Sequence, residues 1–230
     1  MKLKLIPIIS LFLLTVPAIA QDYVSDFKKI NEAYTKGVEM DIKYAYYNFY
    51  KDSKPYETVT GKVKQTGSMY HILLGDIEMI NNKWFKLIIN KGGQILTLDS
   101  SEKVSMKAYY DRNPISQLTE NYRKVEFKDH GITATYKVFP LQSMIAYSEI
   151  NVEKATNIIL SISIYFKNIS ENAPSNPIGN KLVISYSNVK TGVSYAESEF
   201  SIDKYILKTK NQFQPQWAYK SYEFVNMISN

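Results

Sequence analysis

The residues of this chain best suited to moving a proton are two histidines, His71 and His130, and a close carboxylate pair, Asp76 and Glu78. A metal site needs several such ligands converging, and no spacing here supplies them, so no metal is expected. His130, next to Gly131, reads as a turn residue. Asp76 and Glu78 read as two solvent-facing acids on one strand face beside a turn. No Gly-x-Ser-x-Gly elbow, His-Glu-x-x-His helix or Walker loop occurs. Lys91-Gly92-Gly93 carries glycines but lies between two strands rather than ahead of a helix, which argues against a phosphate cradle. Tyr44, Tyr46, Tyr47 and Tyr50 could stack on sugars or bases, but sheet packing with hydroxyls at the rim is the simpler account. The chain has no cysteine, which removes thiol nucleophiles, thiolate zinc sites and disulfides. Neither an enzyme nor a cofactor is expected.

The elements that would position these residues are mostly strands. Tyr makes up 19 of the 230 residues, and Ile, Val and Thr recur in alternation, which suits a pleated, half-buried surface. Tyr23–Lys36 is the exception. Val24, Phe27, Ile30 and Tyr34 mark one face of an amphipathic helix, and Gly37 is placed to end it. A meander then runs from Val38 to Asp99, opening with the alternating strand Val38–Tyr50. Strands follow at Glu57–Lys64, Met69–Leu74, Ile77–Ile80, Trp84–Asn90 and Gln94–Asp99. Gly61 inside the second of them marks a bend or a close backbone approach. Asn113-Pro114 caps a short helix over Pro114–Arg123. Further strands are expected at Val125–Lys128, Ile132–Val138, Met144–Val152, Asn157–Lys167, Lys181–Ser187, Val193–Ile202 and around Trp217–Asn226.

Compartment and partners follow from the ends and the charge. Lys2 and Lys4, the apolar run Leu5–Val16 and Ala18-Ile19-Ala20 form a secretory signal peptide cut after Ala20. This gives a leader over 1–20 and one domain over 21–230, with no transmembrane span after cleavage. With no cysteine to carry a lipid, a bacterium with two membranes would hold the mature chain in its periplasm. The formal charge is +6, two units of which belong to Lys2 and Lys4. Only Arg112 and Arg123 are arginines and the lysines are spread evenly, so no nucleic-acid partner is expected.

The meander is apolar on more faces than one flat sheet can bury. A signal peptide, an amphipathic helix and a long strand precede Gly61-x-Val63, Tyr70-x-Ile72, Asp76-Ile77-Glu78, Asn81-Asn82-x-Trp84 and Ile95-x-Thr97-Leu98. This order resembles the LolA-like group, periplasmic carriers of outer-membrane lipoproteins and their relatives, most clearly over Val24 to Asp99. The fold the resemblance implies is mainly β (α+β). It is a single strongly curved antiparallel sheet or unclosed half-barrel, with two or more short helices over its concave side. A hydrophobic cavity for a lipid or lipoprotein acyl chain would then draw on Met40, Ile42, Tyr44, Tyr46, Ile72, Leu74, Leu87 and Ile89. Lipoprotein carriers of that group have an Arg-Pro step after the Gly-x-Val-like strand, whose Arg helps hold the lid helices. Here the stretch reads Lys62-Val63-Lys64-Gln65-Thr66. The alternative on the same scaffold is an adaptor with a filled interior in an envelope assembly, such as secretion or gliding machinery, with envelope proteins as partners.

Overall fold

The computed structural model describes residues 23–101, 122–141, 144–167, 180–209 and 212–228. The chain enters through α1 (Tyr23–Thr35), whose buried side chains Phe27, Ile30 and Tyr34 are those of the expected apolar stripe. Gly37 follows at φ +132, where a Cβ would meet the Val193 carbonyl oxygen at 2.1 Å. Only glycine permits that conformation at that contact.

The meander is β1 (Val38–Tyr47), β2 (Glu57–Thr66), β3 (Met69–Leu74), β4 (Ile77–Asn81), β5 (Phe85–Asn90) and β6 (Ile95–Ser100), each strand antiparallel to the next. A second antiparallel run follows with β7 (Tyr122–Asp129), β8 (Thr133–Pro140), β9 (Ile145–Glu153), β10 (Ile158–Phe166) and β11 (Lys181–Thr191). β11 pairs with β1 and joins the two runs. The C-terminal segment adds a small hairpin of β12 (Ile206–Lys208) and β13 (Phe213–Pro215), then β14 (Glu223–Asn226).

The result is one twelve-stranded sheet in the order β14-β6-β5-β4-β3-β2-β1-β11-β10-β9-β8-β7, with β14 and β7 as its two edges. It is unclosed and mainly antiparallel. β14 departs from the expected pattern, since it runs parallel to β6. Val193–Ile202, expected as a strand, is instead irregular, with a 3₁₀ turn at Glu197–Phe200. The expected helix over Pro114–Arg123 lies outside the described residues except for Tyr122 and Arg123, which open β7 as strand.

Two apolar clusters sit on opposite faces of the sheet. One joins α1 to Val38, Met40, Ile42, Val63, Ile72, Tyr136, Ile150, Ile162 and Ile184. The other lies over β4, β5 and β6, where Ile80, Leu87, Ile89, Leu96 and Leu98 are covered by Phe200, Ile202, Tyr205 and Ile206 of the C-terminal segment.

Candidate functional site

The pairing register fixes which side chains share a face, because alternate residues of a strand point to opposite sides. Met40 lies opposite Val63, Val63 opposite Ile72, Ile72 opposite Met79, and Met79 opposite Ile88. In the other direction Tyr44 lies opposite Ile184, which continues through Ile162 and Ile150 to Tyr136. These rows form one apolar wall on the face where α1 packs. Of the residues expected to line a cavity, Met40, Ile42 and Ile72 are buried in this wall. Tyr44, Tyr46 and Leu74 share its face and stay partly exposed.

Leu87 and Ile89 do not belong to this wall. Leu87 pairs with Ile80 and Leu98, and Ile89 with Glu78 and Leu96, which places both on the opposite face. There they are fully buried under the C-terminal segment. β5 is apolar on both faces, so its alternation alone does not say which set faces which way.

α1 covers only one part of the wall. The Phe27 ring packs 5.1 Å from that of Tyr136, and Tyr23 meets Tyr122 edge-on at 5.5 Å. The Ile159 N–H donates to the Tyr34 hydroxyl at 2.9 Å, and the Tyr136 hydroxyl donates to Asp26 at 2.8 Å. Burial raises the Tyr34 hydroxyl to about 12, against the opposing pull of the Ile159 bond. Burial and then Asp26 push Tyr136 up as well. These contacts lie over β7, β8 and β10. A cleft of about 190 Å³ opens beside them, between α1 and the hairpin ends, with Asp26, Lys29 and Lys154 at its rim. Toward the other edge, Leu74, Ile77, Met79, Ile88 and Ile95 continue the face and each keeps part of its surface exposed.

The opposite face corrects the reading of Glu78 as a solvent-facing acid. Asp76 is exposed, but Glu78 is only 4% exposed and stands at the centre of a polar network. His71 Nε2 and Lys91 Nζ each reach its carboxylate at 2.9 Å, and the Tyr205 hydroxyl donates to it at 2.5 Å. Burial alone would raise the carboxyl. The bonds from Tyr205, Lys91 and His71 outweigh it and hold the pKa below the ordinary glutamate value. Sequence reasoning misses Tyr205 as a partner because it lies 127 residues away, in a stretch without periodicity.

The same segment is tied down elsewhere by charge. The Tyr195 hydroxyl donates to Glu39 at 2.5 Å, Lys64 pairs with Glu199 at 3.0 Å, and Lys83 pairs with Glu197. Thus the basic residues of the Lys62–Thr66 stretch face away from α1, and Lys64 holds the C-terminal segment rather than a helix. His130 is a turn residue whose ring reaches Thr135 at 3.2 Å. The tyrosine group is split by the pleat. Tyr46 packs against Tyr56 on the α1 face, while Lys181 lies 4.0 Å over Tyr47 on the other. Tyr50 meets Tyr165 and Tyr147 edge-on. Among the described residues no three His, Asp or Glu side chains converge as metal ligands, and no helix is long and apolar enough to cross a membrane.

The fold is similar to that of solved structures with little sequence identity to this chain. An uncharacterized conserved protein from Thermus thermophilus matches with a TM-score of 0.50 at 7% identity, over 90% of this chain and 99% of that one. The MucA/MucB complex of Pseudomonas aeruginosa gives 0.48 at 12% identity, over 78% of this chain and 60% of that one. A LolA superfamily protein from Nitrosomonas europaea gives 0.37 at 9% identity, over 78% and 97%. At 7% identity the likeness to the Thermus protein is one of fold alone. No protein-family model and no curated protein sequence matches the chain.

Proposed function

We propose that this chain is an exported, non-enzymatic binding protein of the periplasm, which carries a lipid or lipoprotein acyl chain against the α1 face of its sheet. The observation that carries this reading is the row Leu74, Ile77, Met79, Ile88 and Ile95. It is apolar surface continuous with the buried core, yet left partly open beyond the contacts of α1. An acyl chain laid along it would gain on the order of 0.8 kcal/mol per methylene removed from water. Register shifts at Glu39/Asp41, Ile159/Ser161, Tyr165/Phe166 and Tyr122/Lys124 support a curved, half-barrel wall, since bulges bend and twist the strands that carry them. The leader over 1–20 would deliver the domain over 21–230 across the inner membrane.

Native mass spectrometry of the secreted protein, with organic extraction of the same sample, tests the reading. The expected result is a lipid-sized mass adduct that extraction removes. A protein that carries no lipid and takes up no fluorescent fatty acid would overturn it. That result would favour the adaptor reading, which one observation supports: Ile30 of α1 packs into one cluster with Val138, Ile150 and Ile162 of the wall, all essentially inaccessible, so the space beneath the helix is filled.

A further inference from the structure

A pocket of about 300 Å³ lies on the face away from α1, between the turn after β4 and the C-terminal segment. Its floor is apolar, formed by Met69, Phe85, Ile202, Ile206 and Phe213. Trp84 stands at the mouth and is 72% exposed, a large apolar surface that folding leaves in water.

The charges around the mouth are unequal in their engagement. Lys83 and Glu197 neutralise each other. Lys208 Nζ sits 5.1 Å over the Phe85 ring and 5.7 Å over that of Phe213, and has no carboxylate partner among the described residues. Asp203 accepts the Ser201 hydroxyl on one oxygen at 2.8 Å and has no cationic partner among the described residues. Lys208 and Asp203 therefore line one mouth without bridging each other, which sets a cation and an anion, each unpaired among the described residues, above an apolar floor.

We infer that this pocket binds a small apolar zwitterion, an amino acid or short peptide whose carboxylate meets Lys208 and whose ammonium meets Asp203 while its side chain fills the floor. The volume falls at the lower end of ordinary ligand sites. Charge-assisted bonds at both ends would set the ligand's orientation. The site is on the opposite face from the acyl-chain wall, so it stands or falls independently of the carrier reading.

Trp84 provides the readout, because Trp217→Phe leaves it the sole tryptophan. That variant is titrated with phenylalanine, with the dipeptide Leu-Phe and with uncharged N-acetylphenylalanine amide. A saturable blue shift of Trp84 emission is expected with the zwitterions, and about tenfold weaker binding with Lys208→Gln or Asp203→Asn. Tighter binding of the dipeptide would assign the site to peptides, and equal binding to free amino acids. No saturable shift up to about 10 mM, an equal response to the uncharged amide, or unchanged affinity in both folded variants would overturn the inference.

Discussion

Glu78 shows what a single side chain can do once the chain folds over it. Its carboxylate ties β3, β4, the β5–β6 turn and the C-terminal segment together through His71, Lys91 and Tyr205. Glu78→Gln removes the charge and replaces one of the two acceptor oxygens by an NH2 donor facing other donors in a buried place, so it should cost about 2 kcal/mol in urea unfolding. The pH dependence has a definite sign. The folded-state pKa is depressed, so the ionised carboxylate adds stability that is fully present above its ordinary value of 4.5 and is lost as pH falls through the lower folded value. The stability gap between wild type and Glu78→Gln should therefore shrink as pH falls from about 6 to about 3. A gap that stays constant would contradict the account of the network. Nothing in Asp76-Ile77-Glu78 announces this, since an acid on a strand is read as exposed until its distant partners are known. Gly61 is legible. A Cβ there would come within 2.0 Å of the Leu73 carbonyl oxygen, so Gly61→Ala should force β2 from β3 and cost about 3 kcal/mol in thermal or urea unfolding.

Elements are legible where periodicity is strong. α1 and the strands of the meander lie within a few residues of their expected bounds, because alternation and turn residues agree there. The face assignment fails at β5, where Leu87 and Ile89 belong to the core under the C-terminal segment. That segment offers no pattern to read. It covers the sheet with irregular chain, short 3₁₀ turns and a parallel edge strand, held by side-chain bonds to residues far away in sequence. Two core predictions separate the faces. Leu87→Ala removes a fully buried side chain and should cost about 3 kcal/mol in unfolding. Met79→Ser, on the partly exposed α1 face, should cost less while lowering the affinity for a fluorescent fatty acid.

For the whole molecule the central matter is which face takes the acyl chain. One sheet has two apolar clusters, and they are not equivalent. The cluster under the C-terminal segment is closed by ion pairs and a buried carboxylate network. The α1 face is buried over β8 to β10, while toward the β6 edge Leu74, Ile77, Met79, Ile88 and Ile95 each stay partly exposed. The sequence signals surplus apolar surface, but only the register divides it between the faces. Isoleucines report on both sides of neighbouring strands, with Ile77, Ile88 and Ile95 on the α1 face and Ile80 and Ile89 opposite. Methyl NMR with a spin-labelled fatty acid therefore tests the account most directly. Selective broadening of Ile77, Ile88 and Ile95, with Ile80 and Ile89 unaffected, is the predicted result. Absence of broadening, or equal broadening on both faces, would contradict it.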